Sequence, residues 1–297
     1  MFDVITVGHL SVDSIILPDR RVPFMVLGGS PTYVSFAARR LDNTVSIISK
    51  VGADFPVAYH WWLGQEGVNL SGIVEDENCL TTRFELEYES DLSNRLLRLK
   101  SRALPIAVED LPKSLKAKVI HVAPIDGEVS YEVVEKLKES AEVLSLDPQG
   151  LVRSFDENGN VNYASLTDVH ILNLINIYKS SQKELEVVTG FRELDSAIKA
   201  VHDHGVKIVI ITLGAQGSIL SVEGARYNVS ACTPTKVVDP TGAGDAFIGG
   251  FLAEYVYGEN LFRCACVGSA AASLVVEGIG PTFFGDKETI YERARSL

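Results

Sequence analysis

The run Asp239-Pro240-Thr241-Gly242-Ala243-Gly244-Asp245 sets a carboxylate directly behind a glycine-rich turn. Pro240 and the two glycines make a sharp turn, after which Ala246, Phe247, Phe251 and Leu252 share one helical face. Asp245 then stands beside a helix N-terminus, and the amides of residues 242–245 point outward without helical partners. Free N–H groups and the helix dipole favour an anion there, and glycine lets a phosphate reach the backbone. A carboxylate at the same place would repel that phosphate, unless it accepts the proton of the nucleophile attacking it. An anion cradle, a positioned carboxylate and a metal on the phosphates are the parts of phosphoryl transfer to an alcohol. With a pKa of ~3.9 such an aspartate is a weak base, which orients the hydroxyl and takes the proton late. The same residues also fit a helix capped after an ordinary turn. The pattern is neither a Walker A loop nor a dinucleotide fingerprint.

These residues need a scaffold, and the hydrophobic pattern supplies one. Short apolar, β-branched runs at Val4–Val7, Val45–Ser49, Val119–Val122, Val143–Leu146, Val169–Leu172 and Val206–Thr212 read as strands buried on both faces. Helical patterns lie between them at Pro31–Leu41, Val57–Gln65, Tyr131–Ser140, Gln182–Val188 and Leu194–His204, and two more follow at Ala246–Tyr257 and Leu261–Val275. The alternation predicts an α/β fold of βαβ units with a mostly parallel sheet covered on both sides. Thr81–Glu89 instead alternates polar and apolar residues, and Arg95–Leu99 resumes after a polar turn. That is a half-exposed antiparallel hairpin. Ser14–Leu17 and Val22–Val26, flanking Pro18-Asp19-Arg20-Arg21, are expected to pair with it. A small sheet of segments 13–26 and 81–100 would then project from a single domain of residues 1–297. It would be either an edge extension or a lid, with edges and a face that could pair as a homodimer.

Composition narrows the partners. The chain has 297 residues, 46% hydrophobic and 22% charged, with a formal charge of −12. That balance argues against nucleic acid or an anionic membrane surface as the main partner, while backbone amides can still hold a phosphate. Cys79, Cys232, Cys264 and Cys266 form no C-x-x-C pair, and the six histidines form no ligand pattern, so no protein-built transition-metal site is expected. The start, Met-Phe-Asp-Val-Ile-Thr-Val-Gly, lacks the basic opening of a signal peptide, and no uncharged apolar run would span a bilayer. A cytoplasmic protein is expected.

The run Asp-Pro-Thr-Gly-Ala-Gly-Asp-Ala-Phe-Ile-Gly-Gly-Phe, residues 239–251, closely resembles the C-terminal signature of the ribokinase-like (PfkB) carbohydrate kinases. Four other stretches match in order: a first strand leading to Asp13, Gly28-Gly29 opening a helix, Lys50-Val51-Gly52-Ala53-Asp54, and Thr212-Leu213-Gly214-Ala215-Gln216-Gly217. The resemblance covers nearly the whole chain and implies a three-layer α/β/α domain with a β-sheet lid. It implies Asp245 as catalytic base, with the amides of Gly242, Ala243 and Gly244 as an anion hole. By the same resemblance Asp13, Gly28 and Gly29 hold substrate hydroxyls, with Tyr33 facing the pocket or packing in the core. Thr212, Gly214, Gly217 and Thr241 fall on the nucleotide side, and Gly268–Ser273 with Glu277–Gly280 occupy the adenine region. The implied cofactors are ATP and Mg²⁺, with a monovalent cation beside Asp239, which also fits a plain turn aspartate.

The departures from the family pattern concern the metal and the substrate. The family often has N-x-x-E; here Glu184 matches and Ser181 stands for Asn, so Glu184 would support Mg²⁺ through water or simply sit in a helix's first turn. Bland readings also compete at Gly28-Gly29, which fit a helix capped by Ser30 with Pro31 at its first position. Ribokinase-type members carry G-G-K-G-A-N, whereas this chain has Gly28-Gly29-Ser30-Pro31-Thr32-Tyr33, which argues against ribose. Leu146-Asp147-Pro148-Gln149-Gly150, running on to Arg153, resembles a segment of myo-inositol kinases and points to a cyclitol. The alternatives are a nucleoside kinase, with Trp61-Trp62 or Tyr33 stacking on a base, and a non-catalytic ligand sensor. A nicotinamide-dependent dehydrogenase would need a fingerprint that Val7-Gly8-His9-Leu10-Ser11 does not supply.

Overall fold

The computed structural model describes residues 1–297 other than Asp19, Arg21, Asp91 and Ser93, so part of the expected turn at 18–21 lies outside the described residues. Strands and helices are numbered in chain order. The main sheet runs β15 (Ala225–Val229), β14 (Ser218–Val222), β13 (Ile208–Thr212), β12 (Ile177–Ser181), β9 (Ala141–Leu146), β8 (Ala117–Val122), β1 (Phe2–Val7), β4 (Val45–Gly52) and β5 (Asn69–Asp76). From β12–β13 across to β5 every neighbouring pair is parallel, while β13–β14 and β14–β15 are antiparallel. Eight α-helices accompany the strands among the described residues: α1 (Ser30–Arg40), α2 (Val57–Gln65), α3 (Tyr131–Lys138), α4 (Gln182–Thr189), α5 (Leu194–His202), α6 (Ala243–Tyr255), α7 (Leu261–Val275) and α8 (Lys287–Ala294).

Side chains alternate across a strand, so each sheet face builds its own core. Ile5, Val7, Ile120, Val122, Leu144 and Ile211 face α3, α4 and α5 through Val133, Leu137, Leu185 and Val201. Val4, Val119, Ile177, Ile210 and Leu220 face α1, α6, α7 and α8 through Val34, Phe251, Leu274 and Ile290. These are the three expected layers. The C-terminal ends of β8, β9, β12 and β13 open on one side, where doubly wound sheets bind ligands.

A second sheet runs β3 (Phe24–Gly28), β2 (Ser11–Ile16), β6 (Thr82–Tyr88) and β7 (Arg95–Ser101). The expected hairpin is β6–β7, and burial along β6 alternates as its sequence does, with Phe84, Leu86 and Tyr88 inward. Strand β2 joins it by parallel pairing with β6. The outer edge of β7 is met by the hairpin β10 (Arg153–Phe155) and β11 (Val161–Tyr163): Leu99 N donates to Gly159 O at 2.8 Å and Arg98 bridges Asn160. At Arg98 and Leu99 the β7 edge is thus met by the chain itself.

Three expectations are corrected. Val169–Leu172 is not a strand but part of a 3-10 turn, Val169–Leu174, whose entry is fixed by the Asp168 carboxylate accepting from His170 N at 2.9 Å. A short apolar run has no period to separate strand from turn, and the strand lies further on as β12. Helix α6 begins at Ala243 rather than Ala246, because Gly242 adopts a left-handed φ of 77° as its N-cap. Helix α1 is capped by Gly29, not Ser30, which is already helical. No helix of the described residues is long and apolar enough to cross a membrane.

Candidate active site

Two cavities meet at the turn before α6. One, of about 150 Å³, is lined by Asp13, Gly29, Ser30 and Tyr33 from one side, by Phe84, Leu86, Arg95 and Leu97 of the small sheet, and by residues 240–245. The other, of about 400 Å³, is lined by Thr212, Gly214 and Gly217 after β13, by Thr233, Val237 and Phe247, and by Ser269, Ala272, Ser273 and Val276. Pro240, Ala243 and Gly244 border both. A single turn thus separates a small polar chamber from a larger, mainly apolar one.

The turn is held from below. Asp239 Oδ1 accepts from Thr241 N at 2.9 Å and from Thr241 Oγ1 at 2.6 Å, while its Oδ2 accepts from Gly280 N at 2.9 Å. The turn-aspartate reading of Asp239 is therefore realised, and both its oxygens are committed. A Cβ at Gly242 would stand 2.1 Å from Tyr33 Cδ1, so the left-handed cap packs on the aromatic ring and only glycine fits. The amides of Gly242, Gly244 and Asp245 have no backbone acceptor, while Ala243 N reaches Pro240 O at 3.4 Å. Asp245 lies in the first turn of α6, and its Oδ1 is buried without a hydrogen-bond partner among the described residues.

Electrostatics depart from the expectation of an ordinary aspartate. Burial pushes the Asp245 carboxyl up to about 6, with Lys179, Ser30 and Arg153 opposing the rise and Asp147 adding to it. Burial likewise pushes Asp13 up to about 6, against the Ser11 hydroxyl, which donates to its Oδ1 at 2.7 Å, and the charges of Arg95 and Arg153. Lys179 on β12 is 3% exposed, and its Nζ lies 2.5 Å from Asp147 Oδ2. Burial alone would lower its pKa, but Asp147, Asp245 and Glu184 together hold the ammonium above its ordinary value. A Cβ at Gly244 would come within 2.8 Å of Lys179 Nζ, so the ammonium sits directly beneath the turn.

The expected site residues divide clearly. Asp13, Gly29, Tyr33 and 241–245 converge on the small chamber, where the Tyr33 hydroxyl is buried without a partner. Gly28 lies behind them at the end of β3, its missing side chain leaving room for the Asp13 carboxylate. Thr212, Gly214 and Gly217 border the larger cavity. Thr241, expected on the nucleotide side, lines the small chamber instead, because its side chain turns back to Asp239. Ser181 and Glu184 border neither cavity: they form a reciprocal capping box at α4, with Glu184 Oε2 accepting from Ser181 N at 2.8 Å and Ser181 Oγ at 2.7 Å. Within the expected adenine region, α7 supplies Ser269, Ala272 and Ser273, whereas Glu277 turns away to pair with Arg293 at 2.9 Å. Trp61 is exposed and Trp62 packs edge-on against Phe36, so neither borders the chamber.

Sequence reasoning gave no role to Arg95, Arg153 or Lys179. Arg153 Nη1 donates to Ile125 O at 2.8 Å, which points its guanidinium along the chamber wall. Arg153 closes the segment that resembles myo-inositol kinases but carried no role of its own there, and Arg95 and Lys179 stand in segments without a spacing rule. His9, Asp126 and Glu128 also converge within metal-ligand reach from distant segments. Most of their atoms are spent on the fold: the His9 ring meets Thr82 Oγ1 at 2.9 Å and Leu104 O at 3.0 Å, and Glu128 accepts from His9 N, Ile125 N and Asp126 N. Arg102 Nε donates to Asp126 Oδ2 at 3.1 Å, while Asp126 Oδ1 is buried without a hydrogen-bond partner among the described residues.

Comparison with known proteins identifies the family. The sequence model for pfkB family carbohydrate kinases matches residues 1–288. The chain is 30% identical over 290 residues to the cytidine kinase of Thermococcus kodakarensis, covering 94% of this chain and 98% of that protein. It is 29% identical over 290 residues to the inositol 3-kinase of Arabidopsis thaliana, covering 95% of this chain and 76% of that one. Among solved structures, a pyrophosphate-dependent kinase of the ribokinase family, complexed with a pyrophosphate analogue and myo-inositol, superposes with a TM-score of 0.82. It is 22% identical and covers 99% of this chain and 100% of that one. With a family match along almost its whole length, the chain belongs to the pfkB family of carbohydrate kinases, phosphotransferases whose acceptor is a hydroxyl group.

Proposed function

We propose that this enzyme phosphorylates one hydroxyl of a small polyhydroxylated ring, a myo-inositol-like cyclitol, using ATP and Mg²⁺. The observation that carries the acceptor is the size and lining of the chamber. About 150 Å³ suits a single six-membered ring, the volume at which an engineered cavity takes benzene. Asp13, the Tyr33 hydroxyl and Arg153 offer polar contacts to ring hydroxyls, and Leu86 and Leu97 give an apolar wall for the ring's C–H face. A nucleoside adds a second ring and would require the small sheet to stand further off. The relatedness to a cytidine kinase nevertheless favours a nucleoside as the second reading.

The donor follows from the larger cavity. Its mainly apolar lining by Val237, Phe247, Ala272 and Val276 fits a planar base, which a pyrophosphate donor would leave unfilled. The free amides of Gly242, Gly244 and Asp245 and the ammonium of Lys179 fit the terminal phosphate at the turn. When bound, MgATP supplies the electrophilic phosphoryl group and the metal's charge. Asp13 and Tyr33 orient the acceptor, and Asp245 accepts the hydroxyl proton at its unpartnered Oδ1. At neutral pH Asp245 is ionised, and with a pKa near 6 it is a better base than an exposed aspartate. The four-stranded sheet acts as a lid, keeping water from competing with the acceptor. Glu184 would assist Mg²⁺ through water with its Oε1, which its capping bonds leave free, whereas a monovalent cation at Asp239 would have to share oxygens that already accept from Thr241 and Gly280.

A panel of cyclitols, sugars and nucleosides, read by ADP release with the product's phosphate located by NMR, tests this reading. A cyclitol should give the highest kcat/KM. Preference for cytidine would establish the second reading, and failure of every alcohol would point to a ligand sensor. Pyrophosphate supporting turnover as well as ATP would overturn the donor assignment.

A further inference from the structure

The small sheet does more than cover the chamber, because one of its side chains bonds directly to the phosphate-facing turn. Tyr88, 6% exposed at the end of β6, places its hydroxyl 2.8 Å from Thr241 Oγ1. Arg95, its cross-strand partner on β7, donates from Nη1 to the same Tyr88 oxygen at 2.9 Å. Thr241 Oγ1 lies 2.6 Å from Asp239 Oδ1, and the other Asp239 oxygen holds Gly280 N.

Chemistry fixes the direction of every bond in this chain. Arginine only donates, and a carboxylate only accepts. Arg95 therefore donates a hydrogen bond to the Tyr88 oxygen, the Tyr88 hydroxyl donates to Thr241 Oγ1, and the Thr241 hydroxyl donates to Asp239 Oδ1. Each hydroxyl is polarised by the one before it, which strengthens the run as a unit. Thr241 directly precedes Gly242, whose left-handed conformation aims the free amides.

We infer that Tyr88 is a positioning residue, which sets the 241–244 turn through Thr241 and so makes the anion cradle complete only while the small sheet is closed over the chamber. The inference rests on the reading of that turn as the anion hole. Tyr88 need not touch either reactant.

The test uses the full-length enzyme with MgATP and with myo-inositol and cytidine as acceptors. Tyr88→Phe, which keeps the ring, should lower kcat by about 10-fold, the value of one lost hydrogen bond felt in the transition state. The acceptor KM should stay within about 3-fold, and the urea midpoint should fall only modestly, as two buried hydrogen bonds go with the hydroxyl. Thr241→Val should lose a similar factor, and Thr241→Ser, which keeps the oxygen, should recover most of it. The double variant should be no worse than the poorer single one, since both remove the same link. If Tyr88→Phe fails to fold, the Thr241 pair alone decides. Losses that multiply to about 100-fold, a loss confined to KM, or an unchanged kcat would each overturn the inference. Turnover by Asp245→Asn would instead defeat the underlying site reading. An inactive Asp245→Asn beside a normal Tyr88→Phe defeats this inference alone.

Discussion

Lowering the pH should silence this enzyme well above the range where ordinary aspartates protonate. Asp245 and Asp13 are both pushed up to about 6 by burial, and under the proposed function both must be ionised, one to take a proton and one to hold acceptor hydroxyls. At pH 5 each would be ionised in only ~10% of molecules, so kcat/KM should lie ~100-fold below its plateau. With ordinary carboxyls near 3.8 the same fall in pH would cost less than ~2-fold. The charges around the pair work against its protonation: Lys179, Arg95 and Arg153 favour the ions, while Asp147 and Asp239 oppose them. The assay is kcat/KM for the acceptor between pH 5 and 8.5, at constant ionic strength and excess MgATP. The limb below pH 6 should approach a slope of two, falling to one in Asp13→Asn. A profile flat down to pH 5 would refute the reasoning, since it would mean that neither carboxyl is desolvated as the structure implies.

The same burial has a stability consequence. A carboxyl raised in the folded state favours folding below its unfolded pKa, and that contribution is lost as pH rises through about 6. A rise from 3.8 to about 6 corresponds to ~3 kcal/mol, so Asp245→Asn should stabilise the ligand-free protein at pH 7 by ~1–3 kcal/mol and do nothing at pH 4. Urea titrations at both pH values check this, and a less stable variant at pH 7 would count against it. Gly242→Ala, which drives a Cβ into Tyr33 at a φ of 77°, should reduce kcat by at least ~100-fold and lower the urea midpoint. Tyr33→Phe should raise the acceptor KM by ~5-fold with the midpoint unchanged, because the lost hydroxyl has no protein partner. Lys179→Met should weaken the nucleotide little but slow turnover by ~100-fold or more, measured by comparing ADP affinity with kcat.

Much of the fold was legible because its signals are local. The buried strand at Val4–Val7 is a continuous β-branched run and that at Val143–Leu146 a short, mainly apolar one, and the ranges read for α2 and α7 match the structure to the residue. The 3-10 turn at Val169–Leu174 was not legible, since six residues are too few for a period and the deciding bond comes from Asp168. In the site, Asp245 and the 242–244 turn were legible because glycine and proline dictate backbone shape. The basic residues were not. Arg95, Arg153 and Lys179 gain meaning only when β7, β10 and β12 converge, and no spacing along the chain records that convergence. The Ser181–Glu184 pair shows the opposite case: its spacing was visible, but the capping box it forms is a structural role. The raised pKa of Asp245 likewise depends on how α6 is buried, which sequence alone does not express.

The central claim is that Asp245 takes the proton of the attacking hydroxyl across a turn that holds the phosphoryl group. Steady-state turnover of Asp245→Asn, measured beside its ATP affinity, tests this most directly. The account predicts a fall in kcat of ~10³-fold or more, with ATP still bound at near wild-type affinity. Turnover within ~10-fold of wild type would contradict it and return Asp245 to the role of a residue in a helix's first turn.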